Sequence, residues 1–87
     1  MASQKHNDVV QYLKYMLSED YVQETGKFNI EIGTERYNLV VEYLASIGLL
    51  ELLKFQSGKY RVLLKNSLDK NFIQDLIEKL EKQEIIL

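Results

Sequence analysis

Few residues in this chain have the types and spacings that chemistry requires. His6 is the single histidine; no second histidine stands at metal-ligand spacing, and its polar surroundings make it a solvated terminal residue rather than a ligand. No serine lies in a G-x-S-x-G elbow, and neither a glycine-rich phosphate loop nor an H-E-x-x-H motif occurs. Glu19-Asp20 is the one adjacent acidic pair, and it reads as the end of one helix or the cap of the next element. Asp75, Glu78, Glu81 and Glu84 recur at every third position and could line a metal-binding edge. Lys79 and Lys82 interleave with them, so a solvated helix face with i,i+3 and i,i+4 ion pairs is the simpler account. The six tyrosines could stack single-stranded bases, but they are spread over the chain. Core or dimer packing with the hydroxyl at the rim suits them better. Cysteine is absent, which excludes disulfides, thiolate metal sites and cysteine nucleophiles. The chain is therefore expected not to be an enzyme and to use no cofactor and no metal.

The charges carry more information than the candidate catalysts. The 87 residues have a net charge of −2, which by itself argues against a polyanionic partner. Its distribution is uneven. Ser18 to Leu53 holds seven acids against Lys27 and Arg36, whereas Leu52 to Asn66 holds Lys54, Lys59, Arg61 and Lys65 and no acid. No stretch approaches the roughly 20 apolar residues that span a bilayer, and Met1 to Asn7 lacks the apolar run of a signal peptide. Length and a hydrophobic fraction of 46% point to one globular, cytoplasmic domain over residues 1–87, with no membrane partner.

The elements that must position these charges follow from periodicity. Val9, Val10, Leu13, Met16 and Leu17 have helical spacing, so a helix runs from Ser3 or Asn7 to Leu17, with Tyr12 and Tyr15 widening its apolar face. Glu24-Thr25-Gly26 reads as a break, and Phe28, Ile30 and Ile32 alternate. The expectation is a short helix over Asp20–Glu24 and a short strand over Lys27–Ile32, with a longer second helix as the alternative. The clearest helix starts at Thr34 as N-cap and stops at Gly48, with Tyr37, Val40, Val41, Leu44 and Ile47 in one stripe. Two β-suited runs around Gln56-Ser57-Gly58 form an antiparallel hairpin. Leu68, Phe72, Ile73, Leu76, Ile77 and Leu80 make a last amphipathic helix, capped by Ser67 or Asp69 and ending near Gln83 or at the C-terminus. The class is mainly α with a small antiparallel β-hairpin.

The run Leu44-Ala45-Ser46-Ile47-Gly48-Leu49-Leu50-Glu51, followed by the hairpin Phe55 to Val62, resembles the winged helix-turn-helix family. There a recognition helix ends in the pattern L-x-x-x-G-L-[IL]-[ER] and turns directly into the first wing strand. The helix after the hairpin, within residues 67–87, is similar to that of small dimeric regulators of the PadR or MarR type. The resemblance implies a winged helix-turn-helix with an added C-terminal helix. It also implies a transcriptional regulator that binds double-stranded DNA through Thr34–Ile47 and the wing.

The residues can be set against that implication. Opposite the buried stripe of the third helix lie Glu35, Asn38, Leu39, Glu42 and Ser46, with Arg36 and Tyr43 on a flank. Asn38 suits adenine and Glu35 suits cytosine, and Arg36 suits base or backbone. A solvated face is the plainer reading of Glu35 and Glu42. Lys54, Lys59, Arg61 and Lys65 suit phosphate, with Arg61 fitted to a narrow minor groove. Lysines that discourage sheet-edge pairing are the alternative. Phe72, Ile73, Leu76, Ile77 and Leu80, with the Ile85, Ile86 and Leu87 tail, suit a homodimer interface, or else pack on the chain's own first helix. The rival to DNA binding is a protein–protein interaction module on the same fold, whose acidic helix face meets a basic partner.

Overall fold

A computed structural model describes residues 3–63 and 68–87. The order is α1 (Gln4–Met16), α2 (Tyr21–Ile32), α3 (Thr34–Ser46), β1 (Glu51–Lys54), β2 (Tyr60–Leu63) and α4 (Lys70–Glu81). The strands pair antiparallel, Glu51 with Leu63 through Lys54 with Tyr60. The class is thus mainly helical with one two-stranded antiparallel sheet. Among the described residues no helix is long and apolar enough to cross a membrane.

α1 is the central element, in contact with α2, α3 and α4. Its Ser3 hydroxyl accepts from the His6 N–H as an N-cap, and Val9, Tyr12, Leu13 and Met16 are fully or almost fully buried. The wide apolar face expected of this segment is used on several sides at once.

Residues 20–33 correct the sequence expectation. There is no strand over Lys27–Ile32; one unbroken helix runs through Gly26. Tyr21, Thr25 and Phe28 are buried at helical spacing, and Ile32 is half-buried on the same face. The alternation of Phe28, Ile30 and Ile32 was a coincidence of periods. Residues four apart share a helix face, so Phe28 and Ile32 point inward while Ile30 is 86% exposed. The buried face of α2 meets both α1 and α3, and tertiary packing outweighs the weak local preference.

α2 and α3 are joined by Gly33 alone, at φ 89° and ψ 160°. Side chains other than glycine essentially do not adopt this region. Gly33, not Thr34, occupies the N-cap position of α3, and its carbonyl accepts the Tyr37 N–H at 3.0 Å. The other end of α3 follows expectation. Gly48 has φ 85°, its N–H reaches the Ala45 carbonyl, and the Leu49 N–H reaches that of Leu44, each at 3.0 Å. Those two bonds are a Schellman motif, and they aim the chain into β1.

α4 is capped by Asp69, whose side chain accepts the Phe72 N–H. Its stripe of Ile73, Leu76, Ile77 and Leu80 is buried in the chain's own core against α1. His6 belongs to the same junction. It is not a solvated terminal residue but is 4% exposed, and its Nε2 lies 2.7 Å from the Leu80 carbonyl oxygen. A carbonyl can only accept, so Nε2 carries the proton there.

Candidate nucleic-acid interface

The hairpin turns through Gln56, Ser57 and Gly58, with the Phe55 N–H donating to the Lys59 carbonyl at 2.9 Å. Alternation along each strand gives it two faces. Leu52, Lys54, Tyr60 and Val62 share the inner face toward α3, with Leu52, Tyr60 and Val62 half-buried. Leu53, Phe55, Arg61 and Leu63 share the outer face, and Lys59 stands beside the turn.

Two side-chain bonds fasten the inner face to α3. The Asn38 amide donates to the Gly58 carbonyl at 3.0 Å, and the Tyr60 hydroxyl donates to the Glu42 carboxylate at 2.8 Å. Asn38 and Glu42 are four apart, so both lie on the α3 surface that meets the hairpin. Donation to Glu42 favours the protonated phenol, and the Tyr60 hydroxyl titrates above its ordinary range. Lys54 Nζ sits 5.8 Å from the Tyr60 ring centroid, a cation–π distance.

Arg36 is also committed. Its Nε and Nη2 donate to the two carboxylate oxygens of Asp8 at 3.0 and 2.8 Å, and Gln4 adds a third donor at 2.9 Å. Asp8 is 5% exposed, so this fork clamps α1 to α3. The bond to Asp8 pushes the Arg36 guanidinium further up.

The expected contact residues therefore separate. Arg36 and Asn38 hold the fold together, and Glu35 is exposed on the first turn of α3. Lys54, Lys59 and Arg61 all stand on the hairpin, Lys54 on its inner face, Arg61 on its outer face and Lys59 beside the turn, and among the described residues none of the three is in an ion pair. Lys65 lies outside the described residues. Leu53, Phe55 and Leu63 are each exposed beside Arg61 and Lys59.

The expected dimer residues separate too. Ile73, Leu76, Ile77 and Leu80 are spent in the core, and Ile85 and Leu87 are half-buried against it. Phe72 and Ile86 are exposed. The stripe of α4 faces inward because α1 offers an apolar partner on the same chain.

Sequence reasoning missed a cluster of aromatic residues under the hairpin. Tyr12 does not carry its hydroxyl at the rim: the residue is fully buried, with its hydroxyl 3.1 Å from that of Tyr21. Phe28 and Tyr37 stand at centroid distances of 6.5 and 5.9 Å from the Tyr12 ring. Burial raises the titration of Tyr12, Tyr21 and Tyr37. The four residues come from three helices, so only their helical spacing hinted that they meet.

No protein-family model matches the chain, and no curated protein or solved structure matches it either.

Proposed function

We propose that this chain is a DNA-binding transcriptional regulator of winged-helix type in which the hairpin leads. The observation that carries the reading is that Lys54, Lys59 and Arg61, none of them in an ion pair among the described residues, stand on one hairpin whose tip is tied to α3 by Asn38. The element order and the Gly48 junction support a wing beside a recognition helix. Because Arg36 and Asn38 are engaged and Glu35 and Glu42 repel phosphate, contact is with the DNA backbone through the hairpin.

A salt titration with duplex DNA tests this. Three cations on three phosphates give a slope of log K against log salt of about −2.7 per copy. Arg61→Ala is expected to reduce its magnitude by about 1. Absence of binding to any duplex at low salt refutes the proposal.

The second reading is a protein–protein interaction module. Leu53, Phe55 and Leu63, exposed on the outer hairpin face, favour it, because a phosphate-binding wing has no use for that much apolar surface. Of the residues expected at a homodimer interface, Phe72 and Ile86 are the exposed ones. A single 10.2 kDa species in light scattering at micromolar concentration counts against a homodimer.

A further inference from the structure

Gly26 is unexplained by the fold. It lies inside α2, where glycine weakens a helix relative to alanine. Its φ is not positive, and a Cβ built on it would meet no atom within 4 Å. Neither the backbone nor the packing requires glycine there. What its missing side chain leaves open is a cleft of about 220 Å³ between α1, α2, α3 and β2, lined by Tyr12, Tyr21, Val22, Thr25, Tyr37 and Val62.

The lining defines what can enter. The hydroxyl of Tyr12 bonds to that of Tyr21 at 3.1 Å, and the Tyr37 ring stands 5.9 Å from that of Tyr12. That bond uses one proton of the Tyr12–Tyr21 pair, and the Tyr37 hydroxyl in the lining is a further donor for an outside acceptor. Thr25 spends its hydroxyl on the Tyr21 carbonyl at 2.9 Å and offers its methyl group. Val62 and the exposed Val22 add apolar lining, and among the described residues no charged side chain lines the cleft. A carboxylate or ammonium group would be desolvated there without a counter-charge. The volume exceeds the roughly 150 Å³ that accepts benzene, which leaves room for a small substituent.

We infer that this cleft binds a small neutral aromatic molecule with one hydrogen-bond acceptor, of the aryl ketone or aryl amide class. The ring lies between Gly26 and Val62, and the acceptor takes the Tyr37 hydroxyl proton. The site does not depend on DNA binding.

Acetophenone is the probe, titrated into the ¹⁵N-labelled chain and followed by amide shifts. Saturable shifts at Val22, Thr25, Gly26 and Val62 are expected, with Kd on the order of 1 mM for so small a ligand. Gly26→Leu fills the cleft from an open helix position and abolishes those shifts while the spectrum stays dispersed. Tyr37→Phe weakens acetophenone about fivefold, the worth of one neutral hydrogen bond, and leaves ethylbenzene unchanged. In the unaltered chain benzoate binds more weakly than acetophenone. No saturable shift at these amides up to the solubility limit overturns the inference. So does undiminished binding to Gly26→Leu, or benzoate binding as tightly as acetophenone.

Discussion

Replacing Gly26 by alanine gives a result whose sign depends on how residues 20–33 are folded. In α2 the position is mid-helix, and the added Cβ meets nothing within 4 Å. Two effects then act in one direction. Alanine is the better helix former, and it also has fewer unfolded conformations to lose. Together they stabilise by about 0.8–1 kcal/mol. For a domain of this size that raises Tm by about 4–8 °C. In urea the midpoint should rise by roughly 0.5–1 M, for an m-value of about 1–2 kcal/mol/M that does not change. If Glu24-Thr25-Gly26 were instead a turn with glycine at positive φ, alanine would cost about 1–2 kcal/mol. Thermal and urea unfolding followed by helical circular dichroism separate the two outcomes. A lowered midpoint refutes the continuous helix, and a changed m-value means the substitution altered more than one helix position.

Two further outcomes follow from the core. Leu80→Ala should destabilise by about 2–5 kcal/mol, as for other buried leucines. Because Leu80 is buried within its own chain, Tm should not move with protein concentration; a Tm that rises with concentration would return α4 to a subunit interface. The tyrosine cluster makes the chain sensitive to alkali. Burial raises Tyr12, Tyr21 and Tyr37 above their ordinary value of 10.0. The unfolded chain therefore sheds these protons first, so the stabilisation is complete below pH 10 and falls as pH rises beyond it. Phenolate absorbance from these residues and loss of helical circular dichroism should develop together. All six tyrosines ionised with the helices intact would contradict the burial.

α1, α3, α4 and the hairpin were legible because each writes its burial into a local pattern. The stripe Tyr37, Val40, Val41, Leu44 needs a period of about 3.6 residues, and Gly48 marks where it stops. α2 was not legible for the same physical reason. Its inward positions, Tyr21, Thr25, Phe28 and Ile32, include a polar residue, while Val22 and Ile30 face out. The apolar pattern therefore does not trace the buried face. The candidate interface was half legible. The run of hairpin cations is contiguous in sequence, so its location needed no contacts. That Arg36 and Asn38 are already engaged depends on Asp8 and Gly58, 28 and 20 residues away.

The sequence alone determined what is local: helix periods, the glycine that ends α3, the strand alternation and a basic segment within an acidic chain. Tertiary structure decided the uses to which these are put. It turned the α4 stripe inward to α1, drew His6 under the Leu80 carbonyl, paired Arg36 with Asp8 and gathered three tyrosines beside an open helix glycine. Those outcomes are set by which apolar faces lie close enough to bury one another and which donors then find acceptors. Distances between residues remote in the chain decide both, and no pattern along the chain encodes them.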